Sequence, residues 1–276
     1  MTVGSDFPVP DPRRVLEAMA SAGYAGTELG PPGYLGDKTT LRENLGDLEL
    51  VGGFVPVDFS GECDLAGLHE TLDLFDAAGA RDARPVLCDA GGPERIANPG
   101  AGERLALDDA RWRKLVDGVE RTAEAARERG YDPVFHHHTS TYVEGVQEIE
   151  RFLNDTDVPL LLDSGHLLVA GGDPLTALSD WRDRIDAIHI KDARLDVVEQ
   201  VKAERADTLT AWRRGMFCAL GQGDVDLDAF CAALTDYDGW VVVEQDRVLT
   251  DLDDDFERAV AEQVANREWL REHAGW

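Results

Sequence analysis

The stretch PLLLDSGH, residues 159–166, is a short apolar run that finishes in an aspartate and a histidine. DAIHIKD at 186–192 repeats the design, finishing in His189, Lys191 and Asp192. On either side, PVFHHHT at 133–139 ends in three consecutive imidazoles, and WVVVEQD at 240–246 ends in Glu244, Gln245 and Asp246. Apolar runs this short, bounded by polar residues, read as strands buried on both faces. Three more lie upstream: GTELG at 26–30, LELVGGFVPVD at 48–58 and ARPVLCDA at 83–90. Between the runs stand patterns such as DPRRVLEAMASAGY, DLAGLHETLDLFDAAGA and RWRKLVDGVERTAEAARERG, with apolar residues at i, i+3, i+4 and i+7. Pro12 opens the first of these helices, and Gly23 and Gly130 stand past the last turns of the first and third.

Strands alternating with helices predict βαβ units and a parallel sheet. No glycine-rich phosphate fingerprint follows a strand, which speaks against a doubly wound dinucleotide fold. Reactive side chains at the C-terminal ends of several strands point instead to an α/β fold of the (β/α)8 TIM barrel type. With no repeat or linker in view, the expectation is a single domain over residues 1–276. Only seven strands can be placed. The residues ahead of the first helix, MTVGSDFPVP, are short and polar, so the first strand is expected to be short, degenerate or missing. Thr2 to Val9 would form a degenerate edge, or the barrel would carry an open slot; a start codon set too far downstream would give the same picture.

Composition narrows the function classes. The chain carries 55 acidic against 27 basic residues, a net charge of −28. Such a field repels nucleic-acid phosphate and anionic membrane, so neither partner is expected. No apolar run approaches the length of a bilayer span, and the N-terminus lacks the basic and apolar regions of a secretory signal, which predicts a cytoplasmic protein. Cys63, Cys88, Cys218 and Cys231 are scattered without CxxC pairing and are read as reduced thiols. Lysine occurs only at 38, 114, 191 and 202. Acidic excess with scarce lysine suits a halophilic cytoplasm, where salt screens self-repulsion. The C-terminal segment DDFERAVAEQVANREWLREHAGW reads as an amphipathic helix that packs on the barrel, with a subunit contact in a homo-oligomer as the alternative.

Ligands from strand ends converge on a barrel axis. Asp163, His189 and Glu244, with one imidazole from the triple histidine, make a mixed N/O set suited to a divalent metal, manganese or cobalt ahead of magnesium, iron or zinc. Alternation along the strand turns His136 and His138 toward the mouth and His137 toward the helical layer. His166, three residues beyond Asp163, could orient it, reach substrate or cap the following helix. Alternation also puts Lys191 on the side of His189, as an acid/base candidate. Glu28 and Arg247 are candidates for substrate binding, as is Glu144 beside Tyr142, and Gln245 and Asp246 could fix the geometry around the ligands.

Taken together, LEAMASAGYAGTELGPPGYLG, FHHHTSTYVEGVQEIERFL, LLLDSGHLLVAGGDP, IDAIHIKDARLD, LGQGDVDLDAF and GWVVVEQD, in this order, resemble the xylose isomerase-like TIM barrels, and most of all their inosose dehydratase branch. The resemblance implies a metal held from strands five to eight by Glu, Asp, His and Glu. Asp163, His189 and Glu244 match the last three. His136 stands where the strand-five carboxylate would be, with His138 next on the same face. Ketose 3-epimerases of this superfamily move the proton with two metal-bound glutamates; one is absent here, so the resemblance implies elimination. The implied reaction is dehydration of a keto-polyol such as 2-keto-myo-inositol, by removal of a proton beside the carbonyl and loss of a β-hydroxyl. Glu244, Lys191, His138 and His166 are the candidates for moving protons. An isomerase or epimerase of a ketose or related sugar is the alternative, and a non-catalytic sugar-binding barrel the second.

Overall fold

A computed structural model of the chain describes residues 9–57, 64–249, 251 and 253–276. The strands are β1 (Gly26–Glu28), β2 (Glu49–Val57), β3 (Arg84–Asp89), β4 (Val134–His136), β5 (Leu160–Asp163), β6 (Ile185–Ile190), β7 (Asp192–Ala193), β8 (Phe217–Cys218) and β9 (Val241–Val243). Seven of them form one parallel sheet in the order β1-β2-β3-β4-β5-β6-β9. Every strand placed from the apolar runs is therefore present, in sequence order, as a barrel requires. Residues 1–8, on which the expected first strand falls, lie outside the described residues, as does Cys63. Among the described residues β1 and β9 are the two edges of the sheet and are not paired with each other.

The pleat sorts the side chains into two layers. Val86, Val134 and Leu161 pack together inside the barrel, while their neighbours Leu87, Phe135, Leu160 and Leu162 belong to the larger cluster between sheet and helices. Phe135 stacks on Phe152 of the helix Val146–Asp155 at 4.0 Å between ring centres. Each such buried aliphatic or aromatic side chain stabilises the fold by roughly 1.5–3 kcal/mol. The same alternation that sends Phe135 outward sends His136 inward.

Helix Pro12–Ala22 begins as the sequence predicts: Asp11 accepts a hydrogen bond from the Arg13 N–H at 2.8 Å, Pro12 occupies the first turn, and Gly23 ends the helix at φ 88°. Helix Asp254–His273 packs against it. Its buried stripe is narrow, Phe256, Asn266 and Leu270, and the Asn266 side chain accepts the Leu220 N–H at 2.8 Å. Among the described residues no helix is long and apolar enough to cross a membrane, and Cys88, Cys218 and Cys231 are free and buried.

Candidate metal centre at the strand ends

His136 and Asp163 are the last residues of β4 and β5, His189 is the last but one of β6, and Glu244 follows β9 directly. Asp163 and His189 are register partners, and the Glu244 N–H donates to Ile190 O at 3.1 Å. One donor atom from each of these four side chains lies within 4.8 Å of the others. Glu244 Oε2 stands 2.9 Å from His189 Nδ1 and 3.9 Å from His136 Nε2, and Asp163 Oδ2 stands 3.8 Å from His189 Nδ1. Both ring nitrogens of His136 and Oδ2 of Asp163 are buried without a hydrogen-bond partner. A buried polar atom left without a hydrogen bond costs about 1–3 kcal/mol, so the His136 ring, bare on both nitrogens beside the carboxylates, marks a place suited to another occupant. Two imidazoles and two carboxylates, with no thiolate, fit a divalent first-row cation.

A second row backs these four. Lys191 is fully buried, with Nζ 2.9 Å from Glu244 Oε2, 3.0 Å from Asp246 Oδ2 and 3.3 Å from Asp163 Oδ2. Burial works against its charge, but Asp163, Asp246 and Glu244 outweigh burial and hold the ammonium well above the usual lysine range. Burial pushes the Asp163 carboxyl up to about 6, against the pull of Lys191. Glu244 is held well below the carboxylate range, because Lys191 and His189 together overcome the cost of burying its charge. His189 moves upward: Glu28 and Glu244 outweigh its burial.

The three histidines of FHHHTS take separate places. His136 joins the carboxylates and His189. His137 points elsewhere and accepts the Asp163 N–H on Nε2 at 3.1 Å. His138, past the end of β4, hydrogen-bonds Thr139 O through Nδ1 at 2.7 Å and lines the cavity. Burial lowers the His137 and His138 pKa values to about 3 and about 4. His166 is fully buried behind His138, between Lys191 Nζ at 2.8 Å and the Thr139 hydroxyl at 3.1 Å. Its backbone N–H donates to Asp163 Oδ1 at 2.8 Å, so Asp163 caps the helix Ser164–Val169 with one oxygen and keeps the other for the site. Asp192, on the opposite side of its strand from Lys191, accepts the N–H groups of Gly223 and Val225 and fixes that turn.

The cavity in front of these residues measures about 1300 Å³ and continues along the seam between β1 and β9. Glu28, Asp89, His136, His138, His189 and Glu244 line its polar end. Sequence reasoning passed over Asp89, which ends β3 as Asp163 ends β5; it accepts the N–H groups of Gly91, Tyr142 and Val143 and so holds the turn after His138. Within that turn Ser140 adopts φ 68°, and its hydroxyl meets that of Thr208 at 2.7 Å. Thr208, Leu209 and Trp212, on the helix Thr208–Arg213, form a cavity flank that no strand-end pattern announces. Trp212 stands edge-on to His138 at 6.2 Å, and its indole N–H is buried without a partner.

Two expected substrate contacts are not brought to the cavity. Glu144 is buried behind the turn, 3.2 Å from the Arg95 guanidinium and 3.3 Å from Ser140 N. Arg247 pairs with Glu262 of the C-terminal helix at 2.8 Å. Gln245 also turns to Glu262, while Tyr142 bonds Glu94 and Arg111. In each case a charged or polar partner close by in the fold engages the group, although Nη1 of Arg247 is buried without a hydrogen-bond partner.

A parallel barrel that gathers imidazoles and carboxylates at its C-terminal mouth defines a class, and the sequence comparison agrees with it. Residues 16–273 match the Xylose isomerase-like TIM barrel family, and the chain belongs to that family. Within it the chain falls in the inosose dehydratase-like branch: it is 38% identical over 253 residues to the inosose dehydratase of Geobacillus kaustophilus, covering 85% of this chain and 80% of that one. Among solved structures it superposes on the probable 3-DHS dehydratase AsbF of Bacillus anthracis with a TM-score of 0.66 at 16% identity, over 93% of this chain and 92% of that one. The IOLI protein, whose structure has a bound zinc atom, gives a TM-score of 0.63 at 17% identity over 94% and 91%.

Proposed function

We propose that the chain is a divalent-metal-dependent dehydratase acting on a keto-polyol of the inosose type, 2-keto-myo-inositol. The observation that carries the reading is the convergence of His136, Asp163, His189 and Glu244, with the buried His136 ring free of hydrogen bonds, in a chain 38% identical to an inosose dehydratase. These four residues would hold the cation, with manganese or cobalt as the first candidates. When bound, the cation supplies Lewis-acid polarisation of the substrate carbonyl, which acidifies the adjacent C–H.

The chain's own residues then divide the work. His138 commits one ring nitrogen to Thr139 O, which leaves the other to accept a proton, and its burial keeps the ring neutral at physiological pH. In this reading it takes the proton from carbon and returns it to the departing β-hydroxyl, so that the C–H and C–O bonds break and water leaves. Lys191 does not act as a base: enclosed by three carboxylates, it stays cationic and balances their charge. His166 touches both Lys191 and the Thr139 hydroxyl and sets the orientation of that hydroxyl at the cavity wall. Indole and aliphatic surface from Trp212 and Leu209 walls off water from the reacting face.

Proton NMR of inosose with the manganese- or cobalt-loaded protein in D₂O tests the reading. Loss of the β-hydroxyl is expected. Deuterium at the α-carbon with the hydroxyl retained would make the chain an epimerase or isomerase instead, and no exchange would leave a binding barrel. The acidic surface belongs to the same picture of a halophilic cytoplasmic enzyme: with a net charge of −28, the thermal midpoint should climb as KCl rises from about 0.1 M to about 1 M, the range over which the screening length falls from about 10 Å to about 3 Å. A midpoint indifferent to salt would refute that part.

A further inference from the structure

We propose that Glu28 is a positioning residue for the metal centre, holding the His189 ring with Nδ1 toward the cation, and that Gly52 is without a side chain in order to admit the Glu28 carboxylate. The inference rests on the metal reading above and deepens it.

The argument begins with a slip in register. β1 and β2 pair Gly26 with Glu49 and Thr27 with Leu50, then skip a residue, so that Glu28 stands opposite Gly52. A bulge of this kind re-aims a side chain at the end of a strand. Here it sets the carboxylate over Gly52, where a Cβ would lie 2.9 Å from Glu28 Oε1 and 3.2 Å from Arg84 O. Gly52 is not among the glycines of positive φ, so its backbone does not call for glycine, and a side chain there would push the Glu28 carboxylate aside.

The carboxylate so placed reaches across the barrel mouth. Glu28 Oε1 lies 3.2 Å from His189 Nε2, while Nδ1 of the same ring faces Glu244 Oε2 at 2.9 Å and Asp163 Oδ2 at 3.8 Å. An imidazole that donates one N–H to a carboxylate presents the lone pair of its other nitrogen to a cation, in a fixed orientation and with raised basicity. The contact also joins β1, one edge of the sheet, to β6, the neighbour of the other edge. The expected substrate-binding role of Glu28 becomes a supporting one, with the carboxylate spent on His189.

The test strips the protein with chelator in high salt and titrates Co²⁺ alone into the wild type, Glu28→Gln, Gly52→Ala and the double variant, reading the cobalt visible spectrum and competition with an indicator. Circular dichroism checks that each variant is folded. Both single variants should bind one Co²⁺ about 10- to 100-fold more weakly, with an altered spectrum, and Gly52→Ala should add nothing to Glu28→Gln, because both remove one contact. Unchanged cobalt affinity and spectrum in Glu28→Gln, with KM for inosose raised, would overturn the inference in favour of substrate binding. Complete loss of cobalt from Glu28→Gln would overturn it in favour of direct ligation. Wild-type affinity in folded Gly52→Ala would remove the role given to Gly52; if that variant does not fold, Glu28→Gln decides alone. A wild type that binds no Co²⁺ would defeat the metal reading itself, an outcome distinct from the others.

Discussion

The strand-end rim and the flank face each other across the same cavity, yet they are built differently. On the rim, His136, Asp163, His189 and Glu244 are carried by neighbouring parallel strands and locked by the ladder, within 4.8 Å of one another. On the flank, Thr208, Leu209 and Trp212 ride a six-residue helix in the excursion between the short strands β7 and β8. It meets the turn beyond the rim through a hydroxyl pair, Ser140 with Thr208, and through Trp212 edge-on to His138. The rim has the means to fix a charge in place, since the backbone that carries its side chains is held by the sheet. The flank has the means to choose a shape, since it can be rebuilt without disturbing the ligands.

Several experiments can break or sharpen that division. The largest effect is expected on the rim: His189→Ala and Glu244→Ala should each abolish metal retention, measured by elemental analysis after desalting. Stoichiometric metal in both would refute the rim as drawn. Next, His138→Gln should retain its metal and lose about 10²- to 10⁴-fold in turnover, which separates proton transfer from ligation. At the joint between the two regions stands Glu144, whose carboxyl burial pushes up to about 7 in spite of the Ser140 N–H and Arg95. A carboxyl raised in the folded state stabilises the fold below its ordinary range, and that contribution disappears as pH rises through the folded value. Glu144→Gln should therefore gain stability relative to wild type between about pH 5 and pH 8, by on the order of 3 kcal/mol, in urea titrations at each pH. A constant difference would show that Arg95 keeps Glu144 charged throughout. The smallest effect belongs to the flank: Trp212→Ala should raise KM about 10-fold, equivalent to about 1.4 kcal/mol, with metal content unchanged. Loss of metal from that variant would erase the distinction between rim and flank.

The same division explains what was legible in the sequence. Strands appear as apolar runs because burial on both faces leaves no room for polar residues, and a reactive side chain at the end of such a run stands out. His136, Asp163, His189 and Glu244 were visible for that reason, and the pleat separated His137 from its neighbours. Asp89 obeys the same rule, closing the run ARPVLCDA as Asp163 closes PLLLD. Trp212 offered no periodic signal, since its helix meets the turn after β4 through residues far apart in sequence, Ser140 and Thr208 being 68 positions apart. The partners of Glu144 and Arg247 were hidden for a related reason: Arg95 and Glu262 meet them only in the folded chain. The seam between β1 and β9 stays at the boundary, because the expected edge Thr2–Val9 lies, apart from Val9, outside the described part of the chain.

The burial of Lys191 also sets the charge balance at the barrel mouth. Its ammonium rests 2.9 Å from Glu244 and 3.3 Å from Asp163, and so lends the acidic rim a counter-charge that the chain itself carries.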